Sequence, residues 1–187
     1  MTKKVSRTIS ICILTLALIA VFMALRSPNA PLVATSQQAA KSFDDKIASL
    51  ELGHMQGIAR TAHITETELS SELQQSIDRN ASTPQGSVVL KAASVHLEED
   101  DFQGVFTLSV SGRELYLTLA GSLAVLDGRL QIEPSTAKLG RLPIPGPILR
   151  HLLQKQFDSP EARERFQLPD FIKDVRVENN ELLVEAK

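Results

Sequence analysis

The chain has 187 residues, with 20 Lys and Arg against 22 Asp and Glu, and a formal net charge of −2 at pH 7. All acidic residues follow residue 26, which leaves 16 basic against 22 acidic side chains beyond that point, a net charge near −6. This excess of acid argues against nucleic-acid binding and against a domain lying flat on an anionic bilayer. An aromatic content of 4% argues against base-stacking or carbohydrate platforms.

The first predicted element is a membrane anchor at residues 9–25, an apolar run without charges. Its length is at the short end of what crosses a hydrocarbon core of roughly 30 Å. A cleaved signal peptide is the alternative, because it also has a basic start and an apolar run. Cleavage after Ala24, Ala30 or Ala34 would leave a large residue or proline where a small one is needed, so we favour an uncleaved anchor. Its predicted membrane residues include Ile9, Leu16, Phe22 and Leu25.

The charges that flank this run predict its orientation. Lys3, Lys4 and Arg7 precede it and only Arg26 follows closely, so residues 1–8 should form a cytoplasmic tail. Residues 26–35 read as a stalk, and residues 36–187 as one extracytoplasmic domain. The single cysteine, Cys12, lies within the run, so we expect the outer domain to have no disulfides.

The domain begins with two predicted helices. Phe43, Ile47 and Leu50 are spaced to share one face of a helix that starts near Ser36. A second helix is indicated by the capping box of Thr65 and Glu68, in which the Thr hydroxyl accepts from the Glu amide and the carboxylate reaches back to the Thr amide.

Beyond residue 87 the apolar period changes to two, which predicts antiparallel strands joined by tight turns. Ser111-Gly112-Arg113-Glu114, Asp127-Gly128 and Asn179-Asn180 are the turn signals. A further amphipathic helix is predicted after Pro147, with an apolar face that includes Ile148, Leu149, Leu152, Leu153 and Phe157. The predicted strands are 89–97, 105–111, 115–125, one from Leu130, and a closing pair at 172–177 and 182–184.

The sequence has no arrangement typical of catalysis or metal binding. Its four histidines stand in no metal-ligand spacing, and no nucleophile motif occurs outside the anchor. The acidic run Glu98 to Asp101 lacks the pattern of a calcium loop and reads as a hairpin tip. We therefore predict a protein that is not an enzyme and has no metal or cofactor.

The strand with Leu115, Leu117, Leu119 and Leu123 on one face allows two interpretations. In the first, these leucines pack against the helices and fill an ordinary core. In the second, they form an apolar groove for lipid chains together with Ile148, Leu152 and Phe157. Gly121, in mid-strand, could mark the bend that a groove requires.

Two short patterns carry a family resemblance. They are the helix start Ile64-Thr65-Glu66-x-Glu68-Leu69 and the later segment Gly140-Arg141-Leu142-Pro143-Ile144-Pro145, followed by a helix, Leu168-Pro169 and a short hairpin. The layout of residues 60–187 resembles that of YpmS-like bacterial single-pass envelope proteins and, more loosely, LmeA-like lipid-binding proteins. Ser70 stands where such proteins often have Asn. The resemblance implies a curved-sheet domain that binds lipid, and it supplies no catalytic residues.

The predicted fold is therefore α+β, with an N-terminal transmembrane helix followed by a curved antiparallel sheet packed with amphipathic helices. The predicted location is the bacterial inner (plasma) membrane, with the main domain periplasmic or extracellular. The favoured function is binding of lipid or another apolar envelope component. The alternative is a scaffold that holds an envelope protein partner.

Overall fold

A computed structural model describes residues 22–24, 26, 33–80, 88–149 and 167–187. It confirms an α+β fold in which the strands pair antiparallel. The elements are α1 (Gln37–Met55), β1 (Thr61–Ile64), α2 (Glu66–Asn80), β2 (Val88–Glu98), β3 (Asp101–Val110), β4 (Arg113–Leu126), β5 (Arg129–Leu139), β6 (Leu142–Pro143), β7 (Ile172–Glu178) and β8 (Glu181–Ala186).

Strands β2 to β6 form a five-stranded sheet in sequence order, as a meander. Two-residue turns join its long strands, at 99–100, 111–112 and 127–128. Ser111-Gly112 and Asp127-Gly128 have positive φ throughout, as a tight hairpin turn requires. The predicted turns at these two positions are confirmed, although Arg113 and Glu114 already belong to β4.

A second sheet has three strands in the order β1-β8-β7. The predicted closing hairpin is confirmed as β7 and β8, with Asn179 and Asn180 at φ 53° and 65°. Strand β1 was not predicted, because four residues are too few to show a period and its partner β8 lies at the other end of the chain.

The two helices begin where their caps indicate. Ser36 Oγ accepts from the amide of Ala39 at the start of α1. At α2, the Glu68 amide donates to Thr65 Oγ1 at 3.3 Å, and the Thr65 amide donates to the Glu68 carboxylate at 2.8 Å. The predicted capping box is therefore present in full.

Helix α2 lies along the outer edge of β2 and covers the backbone there. Ser70 Oγ accepts from the amide of Val95 at 2.8 Å and donates to its carbonyl at 3.1 Å. One turn away on each side, Glu66 accepts from the Leu97 amide and the Gln74 side chain donates to the Lys91 carbonyl. An edge that would otherwise be open for pairing is thus occupied by side chains.

The three-stranded sheet covers one end of the five-stranded sheet. The amide of Glu99, in the β2–β3 turn, donates to the Asn180 side chain, and the amide of Leu168 donates to the Gly128 carbonyl in the β4–β5 turn. The end that carries these hairpin tips, at Glu99, Asp127 and Asn179-Asn180, is called the distal end.

Several predicted elements fall partly or wholly outside the described residues. Residues 146–149 are helical, but Leu152 and Phe157 lie beyond them. Of the predicted anchor only residues 22–24 are described, so Ile9, Leu16 and Leu25 cannot be placed. Within the described ranges, no helix combines the length and apolar character needed to cross a bilayer.

Candidate functional site

One face of the five-stranded sheet is apolar from end to end, and it is called the inner face. On β4 it carries Leu115, Leu117, Leu119 and Leu123. The strand register places further apolar side chains beside them, namely Leu108 and Phe106 on β3 and Leu139, Ala137 and Ile132 on β5. The predicted alternation of β4 is therefore real, and the sheet extends it across neighbouring strands.

Toward the distal end, the inner face belongs to a closed core. Leu97 has no exposed surface, and Phe102 and Leu119 are buried with it. The apolar residues of the three-stranded sheet belong to the same cluster, which includes Val175, Val177, Leu182 and Val184. At this end Leu119 is therefore part of the core, and Leu123 packs against it.

At the opposite end the inner face is only partly covered. Val88 is 48% exposed and Leu90 is 39% exposed, and their cross-strand neighbours Val110 and Leu108 are half-buried. Leu115 pairs with Leu108 and is half-buried as well. This part of the sheet, which includes the Ser111-Gly112 turn, is called the open end.

The predicted ligand-lining residues therefore separate into three groups. Leu119 is core, and Leu123 packs against the core. Leu115 and Leu117 are half-buried toward the open end. Ile148 is 53% exposed, whereas its neighbour Leu149 enters the core.

Met23, Ala24 and Arg26 contact the sheet near this open end, an arrangement that no sequence pattern predicts. The amide of Arg141, in the β5–β6 turn, donates to the Met23 carbonyl at 2.9 Å, and the adjacent Gly140 amide donates to the carbonyl of Tyr116. Gly140 has φ +58°, and a Cβ built on it would lie 2.3 Å from the Ala24 carbonyl oxygen. The turn is thus shaped to receive the N-terminal segment at close range.

The charged clusters join elements of the fold to one another. Glu68 is buried between the helices and accepts from Lys46 Nζ at 2.7 Å and from Ser42 Oγ at 2.5 Å. Burial by itself raises the pKa of this carboxyl, but hydrogen bonds from Lys46, Ser42 and Thr65 outweigh burial and lower the pKa to about 2. Lys46 also donates to the His63 carbonyl, so it ties α1 to β1.

A second charged cluster lies on the three-stranded sheet, on the face turned away from the core. Arg176 donates to Asp174 and Glu185 at 2.6 and 2.9 Å and lies 3.2 Å from Glu178. Its hydrogen bonds, first with Asp174 and then with Glu185, raise the pKa of this guanidinium above its ordinary value. Leu183 is buried on this face, where the register places it between Arg176 and His63.

The described histidines that contact acidic side chains do so as isolated pairs and not as larger clusters. His63 contacts Glu181 at 3.0 Å and His96 contacts Glu66 at 2.7 Å, each as a pair. Among the described residues, no three His, Cys, Asp or Glu side chains are placed to hold a metal ion. The acidic run Glu98 to Asp101 forms the β2–β3 hairpin tip, as predicted.

A polar cleft lies between the two helices, with a volume of about 220 Å³. Its lining includes Ser36, Ser71, Gln74 and Asp78, and no inner-face residue contributes to it. The cleft is therefore separate from the apolar surface.

No protein-family model, curated protein or solved structure matches this chain. The geometry of the described residues therefore carries the functional argument.

Proposed function

We propose that this chain is a membrane-anchored extracytoplasmic domain that binds lipid acyl chains, without catalysis, on the open part of its inner face. Residues 9–25 would hold it in the bacterial plasma membrane with the N-terminus in the cytoplasm. The observation that supports the proposal is the exposed apolar surface at Val88 and Leu90, continuous with half-buried Leu108 and Leu115.

An acyl chain suits this surface for a simple physical reason. Burying apolar area stabilises a complex by roughly 25 cal/mol per Å², and an acyl chain can cover such a face without needing hydrogen bonds. Contiguous apolar surface on a soluble domain often marks a site of interaction. Because the open end leads into a closed core at Leu119, a bound chain would enter from this end and stop where the three-stranded sheet begins.

Two irregularities would help the sheet to curve around a ligand. The β2–β3 register shifts between Leu90 and Ala92, and the β4–β5 register shifts between Ala120 and Gly121. A Cβ on Gly121 would lie 2.1 Å from the carbonyl oxygen of Glu133, so the strands approach there as only glycine permits. Bulges of this kind bend the strand and increase its twist.

The test uses the full chain in phosphatidylcholine vesicles that contain a phospholipid with a photoactivatable acyl chain. Crosslinks are expected on β2, β3 and the start of β4. Leu90→Asp should reduce them at least about ten-fold, since a charge on an apolar surface disfavours contact with an acyl chain. Leu126→Asp is the matched control: Leu126 is also exposed, but it lies at the distal end and on the opposite face.

Crosslinks confined to residues 1–26 would contradict the proposal. Equal labelling of Leu90→Asp and Leu126→Asp would also contradict it.

The scaffold alternative has its own supporting observation at the distal end. Glu98 to Asp101 and the Asn179-Asn180 turn meet there and present an acidic surface. A photocrosslinker at Asp100 should then capture a protein partner in cells, whereas one at Ser111 should not. Under the lipid proposal the pattern is reversed, with lipid captured at Ser111.

A further inference from the structure

The two ends of the five-stranded sheet carry opposite charge. Exposed basic side chains surround the open end: Arg26 in the N-terminal segment, Lys91 at the β2 bulge, Arg113 after the Ser111-Gly112 turn, and Arg141 in the β5–β6 turn. Among the described residues near this end, the exposed acidic side chains are Glu114 and Asp78. Arg79 forms an ion pair with Glu72, so these two charges offset each other. The open end is therefore basic as well as apolar.

The distal end is strongly acidic. Its three hairpin tips carry Glu98 to Asp101, Asp127, Glu178 and Glu181. Among the described residues, Glu178 contacts Arg176 and Glu181 contacts His63, and Arg129 follows the Asp127-Gly128 turn. The excess of acid at this end therefore lies mainly at Glu98 to Asp101. The overall excess of acid therefore does not describe the open end, where the described charged groups are mainly basic.

We propose that the open end is a membrane-contacting surface that binds anionic lipid headgroups. The inference rests on the proposed membrane placement of residues 9–25, because Met23 and Ala24, at the end of that run, contact Arg141 and Gly140. The chain that would leave the bilayer therefore reaches the domain at its basic, apolar end.

The charges would act by orienting the domain. Each Lys or Arg near an anionic surface is worth about a five-fold change in the partition equilibrium, and the attraction fades beyond a Debye length of about 8 Å at physiological salt. The acidic tips at the distal end are repelled by the same surface. Attraction at one end and repulsion at the other favour one orientation, with Val88 and Leu90 at the headgroups.

The experiment measures which end touches the membrane. The full chain with Cys12→Ser receives one environment-sensitive fluorophore, at Ser111→Cys or, as the control, at Asp100→Cys. Each is reconstituted in vesicles of phosphatidylcholine alone or with about one third phosphatidylglycerol, an anionic lipid. Quenching by spin-labelled lipid should be strong at residue 111, increase with phosphatidylglycerol, decrease in high salt, and remain weak at residue 100.

Charge reversal gives a matched pair of variants. Arg113→Glu and Arg129→Glu make the same substitution at opposite ends of the sheet. Each arginine is exposed and is the first residue of a strand that follows a two-residue turn. Arg113→Glu should remove most of the phosphatidylglycerol-dependent quenching at residue 111. Arg129→Glu should leave that quenching unchanged or increase it.

The contact with the N-terminal segment can be tested in the same assay. Gly140→Ala places a methyl group against the Ala24 carbonyl. Gly128 also has a positive φ, 72° against 58°, but a Cβ there would meet nothing within 4 Å. Gly140→Ala should therefore lower quenching at residue 111, and Gly128→Ala should not.

The outcomes separate this inference from the proposed function. A chain that does not associate with vesicles overturns both. A chain that associates and shows acyl crosslinks at β2, yet gives equal quenching at residues 100 and 111 or no dependence on phosphatidylglycerol, overturns the membrane-contacting surface alone.

Discussion

At the scale of single residues, Glu68 makes more contacts in the N-terminal region than its place in a capping box requires. As part of a capping box its carboxylate needs only the Thr65 amide, yet it also accepts from Ser42 and Lys46 on α1. One buried carboxylate therefore caps α2 and also joins α2 to α1 through hydrogen bonds. Such an anion is stable when buried because each of its partners donates to it.

This arrangement predicts how stability depends on pH. The folded pKa of Glu68, about 2, lies below the ordinary value of 4.5, so its contribution is complete above pH 4.5 and is lost as pH falls toward 2. Glu68→Gln should lower the free energy of unfolding by about 2–3 kcal/mol at neutral pH. Chemical denaturation as a function of pH measures both effects.

The difference between wild type and Glu68→Gln should shrink as pH falls below 4.5. Glu51→Gln is the control, since Glu51 is exposed on α1, and it should change stability by less than about 0.5 kcal/mol. A difference between wild type and Glu68→Gln that is independent of pH would contradict the assignment.

At the scale of elements, the contact between α2 and β2 solves the problem of an open sheet edge. Glu66, Ser70 and Gln74 are spaced four apart, so they form one stripe on the helix that follows the strand. Ser70 has no exposed surface, and its hydroxyl serves both backbone groups of Val95. An apolar stripe would cover the edge but would leave those groups unpaired.

Ser70→Ala should therefore destabilise the protein by about 2–6 kcal/mol, because two buried backbone groups lose their partner at about 1–3 kcal/mol each. Denaturation measures the loss, and faster hydrogen exchange at the Val95 amide would locate it. Ser109→Ala, on half-buried β3, should cost less than about 0.5 kcal/mol. Equal effects of the two substitutions would show that the Ser70 bonds contribute little.

At the scale of the whole molecule, the three-stranded sheet decides which part of the inner face is core. Leu115 and Leu119 lie on the same strand and the same face, four residues apart. Leu119 is 8% exposed and belongs to the core cluster, whereas Leu115 lies at the open end and is half-buried. A leucine side chain thus contributes to the core at position 119 and is available to a ligand at position 115.

The pair gives a direct prediction. Leu119→Ala should cost about 2–5 kcal/mol, the range for a leucine removed from a packed core. Leu115→Ala should cost less than about 1.5 kcal/mol, since less apolar area is lost and water can occupy the space. Equilibrium unfolding of both variants tests this, and equal costs would indicate that the core extends to the open end.

Sequence reasoning succeeded where the determining contacts are local. Ser36 and Thr65 cap the helices they precede, and Asp127-Gly128 and Asn179-Asn180 tolerate the positive φ of a tight turn whatever surrounds them. It failed at β1, whose four residues become a strand only through pairing with β8. It also could not anticipate that Arg141 bonds to Met23, since nothing in either segment signals the other.

By itself, the sequence determined the caps, the turns, the meander and the alternation of Leu115 to Val125, because each depends on neighbours a few residues away or on the strand next along the chain. Only the tertiary structure decided that the inner face is closed at Leu119 and open at Leu90. It also decided that the basic groups collect at the open end. Both outcomes depend on how much of the inner face the three-stranded sheet covers. That sheet is formed by segments far apart in the chain, so its position cannot be derived from a local sequence pattern.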